Sequence, residues 1–167
     1  MIKKGILILL IISVAIFTVS LVIDASNSPK VEGPVNNVIQ QVMTGEKPSP
    51  ADHIKEDQIH VYDDKIVIEI KNARWAGFED TNSMDPILDK DSNAIQVIPE
   101  KPEDIQVGDI ISYQSEMFNT VIIHRVVEIN EDEQGIYYVT RGDNNSANDP
   151  EKIRFEMVRR ILVAIIY

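Results

Sequence analysis

Three stretches of the sequence carry side chains whose types could act together in catalysis. The first is TNSMDP, residues 81–86, in which Ser83 lies just before an Asp-Pro pair. Proline fixes its own φ and restricts Asp85 to extended geometry, so we expect Ser83 to lie beside a stiff turn. A serine hydroxyl held in such a turn can act as a nucleophile once a base removes its proton. Serine before Asp-Pro also caps turns without any chemical role, and this stretch alone does not separate the two interpretations.

The second stretch places an imidazole in a β-strand. VIIHRVVEI, residues 121–129, is rich in β-branched residues, and its period-two alternation puts His124 on one face with Ile122 and Val126. Imidazole titrates close enough to neutrality to take a proton from serine and to return it to a leaving amine. A histidine on an otherwise apolar face can equally be a hydrogen-bonded core residue, so His124 depends on its partners.

The third stretch is a polar loop that directly follows a predicted strand. RGDNNSANDP, residues 141–150, contains the carboxylates of Asp143 and Asp149 together with three amides. An EF-hand is excluded, because Ala147 and Asn148 occupy the positions of a ligand and the turn glycine, and Arg154 replaces the bidentate acid. A catalytic metal held by His124, Asp143 and Asp149 remains an alternative to a serine mechanism.

Composition limits the classes of function. The chain has 167 residues, 44% of them apolar and 26% charged, which is typical of one folded domain with an appendage. It contains no cysteine, so disulfides, thiolate catalysis and cysteine-bound metals are excluded. A net charge of -11 argues against nucleic acid as a partner, because binding a polyanion requires clustered Lys and Arg.

The N-terminal region predicts a membrane anchor. Residues 6–23 contain no charged side chain and are about long enough to cross a hydrocarbon core as a helix. Lys3 and Lys4 precede this run and Asp24 follows it, so we expect a cytoplasmic N-terminus with the rest of the chain outside. A cleaved signal peptide is the alternative, but the apolar run is longer than such peptides need and residues 23–25 make a poor cleavage site. We therefore assign residues 1–24 to an uncleaved anchor.

The remainder divides into a spacer and a β domain. Residues 25–50 are rich in Ser, Asn, Pro and Gly, with one short helix expected over 35–43. Residues 51–167 form the expected extracytoplasmic domain, which is mainly β. Its strands are predicted at 58–62 and 65–70, paired as a hairpin, and at 94–98, 109–113, 121–129, 136–141 and 161–167.

In this order, and behind such an anchor, SMDP, IIHRV and RGDNN resemble the signal peptidase I family, in its archaeal and endoplasmic-reticulum branch. The resemblance covers about residues 58–167 and the anchor. It implies a signal-peptidase-like fold of short antiparallel strands behind one transmembrane helix. It also implies a membrane-bound serine endopeptidase that removes signal peptides from exported preproteins at the outer face of the membrane. Membrane lipid is the other expected partner, and no cofactor or metal is implied.

The resemblance also assigns roles to individual residues. Ser83 is the expected nucleophile, and His124 is the expected base at the position where the bacterial branch has lysine. Asp149 is expected to orient His124, while Asp143 is expected to build the loop and to be essential as well. The oxyanion would be bound by backbone N–H groups near Ser83 and by the hydroxyl of Thr81.

One segment departs from the family pattern. After the Ser-Met-x-Pro box, the family usually has a Leu, two residues and a Gly-Asp that opens a strand, whereas this chain has LDKDSN at residues 88–93. Gly108-Asp109 matches the second such pair of the family. Because the altered strand is the one that normally pairs with substrate, a second function stays open. It is a protein of the same fold that binds or assembles without cleaving.

Overall fold

Eight β-strands make up most of the regular structure of residues 47–167, the part of the chain that the computed structural model describes. They are β1 (Ile59–Val61), β2 (Ile66–Ile68), β3 (Arg74–Gly77), β4 (Asn93–Val97), β5 (Ile110–Ser115), β6 (Thr120–Asp132), β7 (Gly135–Arg141) and β8 (Val158–Ile166). Three short 3-10 helices, Glu56–Gln58, Pro102–Asp104 and Phe155–Met157, are the helices of this part. None of its helices is long and apolar enough to cross a bilayer. The predicted anchor and the predicted short helix lie outside the described residues.

The strands form two antiparallel sheets. Strands β1 and β2 make a separate two-stranded sheet, and the other six have the order β3-β4-β8-β5-β6-β7. The prediction of a mainly β protein with antiparallel strands is confirmed. The hairpin of β1 and β2 is also confirmed, and the predicted strands of the large sheet are present with ends that differ by a few residues.

Strand β3 was not predicted, and β6 is longer than predicted. The sequence of β3, RWAG, has no β-branched residue, so only its pairing with β4 identifies it as a strand. Strand β6 continues to Asp132 because β7 remains paired with it up to the turn, where Asp132 lies opposite Gly135. In both cases the partner strand determines the boundary.

The large sheet is buried on both faces near its centre. Ile110 and Ile111 are neighbours on β5 whose side chains point to opposite faces, and each belongs to a different hydrophobic cluster. The first cluster contains Ile105, Ile111, Tyr113, Val126, Tyr138, Ile153 and Ile161. The second contains Met84, Leu88, Ala94, Ile110 and Leu162. The loop with Ser83 is thus fixed to the sheet through the second cluster.

Sheet order brings two of the three chemical stretches together. His124 lies on β6, and the loop of residues 142–149 leaves the end of the neighbouring strand β7, where Arg141 pairs with Arg125. Ser83 lies between β3 and β4, which are separated from β5 and β6 by β8. Contacts between loops must therefore join Ser83 to the other two stretches.

Candidate active site

The turn that holds Ser83 is fixed on both sides of the residue. Asn82 has a φ of 56°, in the left-handed region that asparagine adopts more readily than most residues. Met84 is only 3% exposed and packs in the second cluster beside Leu88. The hydroxyl oxygens of Ser83 and Thr81 lie 3.1 Å apart, within hydrogen-bond distance. Ser83 itself stays partly exposed, as a residue that reacts with substrate must be.

The imidazole of His124 is bound to Asp149. Its Nδ1 lies 2.6 Å from Oδ2 of Asp149, and the side chains of both residues are largely buried. A carboxylate can only accept hydrogen bonds, so Nδ1 carries the proton and donates it. In the neutral imidazole, Nε2 is then unprotonated and free to act as a base.

Two more side chains hold the carboxylate of Asp149. Thr140 Oγ1 donates to Oδ2 of Asp149 at 2.6 Å, and the Tyr113 hydroxyl donates to the same oxygen at 3.1 Å. Burial opposes ionisation of Asp149, but the hydrogen bonds from His124 and Thr140 outweigh it and keep the pKa of this carboxyl below its ordinary value. Burial raises the pKa of Tyr113 well above its usual range, so its hydroxyl stays protonated as a donor. Asp149 is therefore an anion at neutral pH.

Asp143 is bound by Arg125. Both oxygens of its carboxylate accept from the guanidinium of Arg125, at 2.8 and 2.7 Å, and its side chain is 3% exposed. Burial opposes ionisation of Asp143, but Arg125 lowers the pKa of this carboxyl below its ordinary value. Arg125 also donates to the backbone oxygen of Gly108 at 2.7 Å. Asp143 thus connects the loop to the body of the sheet, in agreement with a structural role.

The loop of residues 142–149 also binds the turn of Ser83. The backbone N–H of Asn144 donates to the backbone oxygen of Ser83 at 3.0 Å, and its side-chain amide donates to that of Asn82 at 3.0 Å. The approach is close at Gly142, where a Cβ atom would lie 2.5 Å from the Ser83 oxygen. The loop that carries Asp149 is therefore in direct contact with the backbone of the candidate nucleophile.

Each residue predicted for the site can now be placed. His124 and Asp149 are hydrogen-bonded, Thr81 and Ser83 are within hydrogen-bond distance, and Asp143 belongs to the ion pair with Arg125. Among the hydrogen bonds of residues 47–167, none joins the hydroxyl of Ser83 to His124. The candidate site thus consists of two pairs of side chains, Thr81 with Ser83 and His124 with Asp149, and the loop of residues 142–149 connects them.

The alternative of a metal held by His124, Asp143 and Asp149 requires their donor atoms to converge. In the structure both oxygens of Asp143 bind Arg125, and Oδ2 of Asp149 accepts from three side chains. Within the described residues, no group of three or more His, Asp or Glu side chains is arranged to hold a metal ion.

Three contributors were missed in the sequence. Tyr113 and Thr140 bind Asp149, and Arg125 binds Asp143. Arg125 had no expected role. Its position next to His124 on a strand, which sends the two side chains to opposite faces, was a signal that it could serve the second aspartate. The roles of Tyr113 and Thr140 could not be recognised without the register of β5, β6 and β7.

Part of the chain is similar to a known protein. Over 57 residues it is 35% identical to Signal peptidase I W of Bacillus subtilis (strain 168). The match covers 34% of this chain and spans only 30% of the length of that relative. No family model matches the chain, and no solved structure matches it. The similarity thus relates about a third of the chain to a signal peptidase I.

Proposed function

We propose that this protein is a membrane-bound serine endopeptidase of signal peptidase I type. The observation that carries the proposal is the hydrogen bond of 2.6 Å between His124 and Asp149, on a loop that also binds the backbone of Ser83. An imidazole oriented by a buried carboxylate, on a loop that binds the turn of a partly exposed serine, supports a serine hydrolase.

The mechanism follows from the proton on His124. With Nδ1 donating to Asp149, Nε2 takes the proton of Ser83 as its hydroxyl oxygen attacks the scissile carbonyl carbon. The imidazolium, stabilised by Asp149, then gives this proton to the leaving amine, and a water molecule activated by the same nitrogen releases the acyl group. The mechanism requires the hydroxyl of Ser83 to come within hydrogen-bond distance of Nε2 of His124 in the complex with substrate, as catalytic hydrogen bonds often tighten only there.

The negative charge that develops on the carbonyl oxygen needs donors near Ser83. We assign this role to the backbone N–H of Ser83 and to the hydroxyl of Thr81, which already lies 3.1 Å from the Ser83 hydroxyl. One such donor is typically worth about 3 kcal/mol of the activation barrier.

The substrates we propose are exported preproteins, cleaved at their signal peptides or at similar segments. The similarity to Signal peptidase I W supports this class of substrate. The apolar run of residues 6–23, with Lys3 and Lys4 before it, supports a single-pass anchor and a catalytic domain on the outer side of the membrane. His124 in place of lysine supports the archaeal and endoplasmic-reticulum branch.

The decisive test is cleavage of a preprotein in membranes by the wild type and by Ser83→Ala. We expect Ser83→Ala to lose cleavage by orders of magnitude, whereas Ser146→Ala, on an exposed part of the neighbouring loop, keeps it. If the wild type produces no more cleaved preprotein than Ser83→Ala, the serine peptidase is overturned. Absence of cleavage above background with both proteins would favour the second function, a binding or assembly module of the same fold.

A separate test addresses the anchor. If residues 1–24 are retained, alkaline carbonate leaves the protein in the membrane, and protease added to the outer side reaches the spacer near residues 48–50. A soluble mature chain that begins near residue 25 would contradict the anchor without affecting the catalytic assignment.

A further inference from the structure

The first described residues, 47–53, form a segment without regular secondary structure that lies on the body of the domain. It also reaches the loop of residues 142–149, which we call the catalytic loop. We refer to these residues as the leading segment. At its first residue, the ammonium of Lys47 donates to the backbone oxygen of Asp143 and lies 3.6 Å from Oδ1 of the same residue. Lys47 therefore contacts the loop of residues 142–149 at the residue that ties this loop to Arg125.

The middle of the leading segment rests on a glycine. Gly108 has a φ of 103°, and a Cβ atom there would lie 2.0 Å from the backbone oxygen of Ser49 and 3.1 Å from the carbonyl carbon of Pro48. A side chain at position 108 would therefore displace the segment. The backbone oxygen of the same glycine accepts from Arg125 at 2.7 Å. Gly108 therefore contacts both the leading segment and the arginine of the ion pair with Asp143.

The far end of the segment is held by a buried carboxylate. Oδ1 of Asp109 accepts from the backbone N–H of Ala51 at 2.9 Å and from Nε2 of His53 at 2.9 Å. Oδ2 of Asp109 accepts from the backbone N–H of Gln106 at 2.8 Å. With the segment fixed at this end, Lys47 is held close to the catalytic loop.

The contact of Lys47 differs from an ordinary surface ion pair. Its carboxylate partner is 3% exposed; burial opposes ionisation of this group, and Arg125 lowers its pKa more than Lys47 does, so the charge of Lys47 makes the smaller contribution to holding Asp143. Its donation to the backbone oxygen of Asp143 instead fixes the main chain one residue before Asn144, which binds the backbone of Ser83. The contact is thus placed to set the position of the loop.

We propose that the leading segment positions the catalytic loop, with Lys47 as a positioning residue for the hydrolysis assigned to Ser83, His124 and Asp149. The consequence for catalysis rests on the proposed function, whereas the ordering of the loop does not. The chain that precedes the domain thereby takes part in building the site, in addition to any role as a tether.

The test compares Lys47→Met with Lys47→Arg in the full-length chain. Methionine keeps much of the length of the side chain but removes its charge and its donors, whereas arginine keeps both. Lys65→Met is the matched control, because Lys65 is an exposed lysine between β1 and β2 whose ammonium lies over the ring of Tyr62 and outside the leading segment. The measurements are hydrogen exchange of residues 142–149, the kcat and KM for preprotein cleavage, and the melting temperature.

We expect Lys47→Met to speed hydrogen exchange in residues 142–149 and to lower kcat on the order of tenfold, because small displacements of catalytic groups cost rates of this size. KM and the melting temperature should change little. Lys47→Arg should restore both exchange and kcat, and Lys65→Met should match the wild type in every measurement.

The outcomes separate this inference from the proposed function. Unchanged exchange in residues 142–149 of Lys47→Met, or a loss of kcat that arginine does not rescue, would overturn the positioning role. Faster exchange in Lys47→Met together with a fully active Ser83→Ala would keep the role of Lys47 in ordering the loop and reject the peptidase.

Discussion

Arg125 and Asp143 form a two-point ion pair in which Nε and Nη2 of the guanidinium donate to the two carboxylate oxygens at 2.8 and 2.7 Å. This geometry decides which aspartate can orient His124. Because both oxygens of Asp143 are bound to Arg125, only Asp149 is available to the imidazole, and the contact of 2.6 Å with His124 is made there. The two acids of one loop therefore have separate tasks, and their loss should have different effects.

Asp143→Asn should mainly lower stability. The substitution leaves the buried guanidinium of Arg125 without an opposite charge, and breaking such a pair costs about 3 kcal/mol. Denaturation in urea at neutral pH measures the loss. Arg125→Lys, which cannot bind both oxygens of Asp143, should show a loss in the same direction. An Asp143→Asn protein as stable as the wild type would contradict the structural role.

The contribution of Asp143 should also depend on pH. Its pKa in the folded protein lies below the ordinary value of 3.8, despite its burial, because of Arg125. The stabilisation is thus complete above about pH 4 and is lost as the pH falls through the folded pKa. The difference in unfolding free energy between wild type and Asp143→Asn should shrink on acidification, and a difference that grows would show the opposite linkage.

Asp149→Asn should mainly lower activity. The amide cannot stabilise the imidazolium or hold the same tautomer, and the corresponding change in a serine protease lowers kcat about 10⁴-fold. Stability should fall by only about 1–2 kcal/mol, since the amide oxygen can still accept from Thr140 or Tyr113. Turnover of a preprotein and thermal melting, measured on the same preparation, check both parts. An active Asp149→Asn beside an inactive but stable Asp143→Asn would reverse the assignment.

Thr81→Val tests the role of the Thr81 hydroxyl while the shape of the side chain stays nearly the same. Valine has nearly the same volume but no donor, so kcat should fall about 10²-fold if this hydroxyl binds the oxyanion. Thr81→Ser keeps the hydroxyl and should keep most of the activity. Thr81 is exposed, so stability should be nearly unchanged in both variants. Equal kcat for the valine and serine variants would remove Thr81 from the oxyanion site.

Gly142→Ala should disturb the backbone of Ser83 directly. The added methyl group would lie 2.5 Å from the Ser83 oxygen, a distance at which the loop or the turn has to move. Preprotein turnover should fall on the order of a hundredfold, as expected for a displacement of about 1 Å between catalytic groups. Gly77→Ala is the matched control, because no atom lies within 4 Å of its added methyl group. Normal turnover by Gly142→Ala would show that this close approach has no catalytic consequence.

His53→Gln should destabilise the protein most at low pH. The hydrogen bond to Asp109 raises the pKa of His53 above 6.5, against the opposing effects of burial and of Lys55, and Asp104 contributes in the same direction as Asp109. The ion pair therefore stabilises the fold fully below about pH 6.5 and loses this effect as the pH rises through the folded pKa. Unfolding free energies of wild type and His53→Gln should differ at pH 5.5 and converge at alkaline pH. A constant difference would mean that the charge on His53 plays no part.

The sequence was sufficient for those features of the fold that depend on local pattern. Runs of β-branched residues located β6 and β8, and alternation along β6 put His124 on the face with Val126, which lies in the first cluster. Strand β3 was not predicted because its four residues include no β-branched side chain and only their pairing with β4 makes them a strand. Pairing between distant segments is the information that a local pattern lacks.

The same limit applies to the candidate site. Ser83, His124 and the two aspartates could be selected by residue type and order, and the choice of Asp149 as the partner of His124 agrees with the geometry. The donors of Thr140 and Tyr113 could not be selected, since they meet Asp149 only through the register of three strands. Lys47 and Asp143 are far apart in the sequence, and no spacing rule connects them, although the two residues are in contact.

The position of β8 between β4 and β5 has a consequence for when the protein becomes active. The turn of Ser83 precedes β4, whereas His124 and Asp149 belong to the part of the sheet built from β5, β6 and β7. Strand β8, the last strand in the chain, joins these two halves. In a nascent chain that has not yet released β8, no strand pairing joins these halves, and loop contacts such as that of Asn144 with Ser83 are the connection between them. The proposed peptidase activity should therefore develop only after β8 has been synthesised and has paired with β4 and β5.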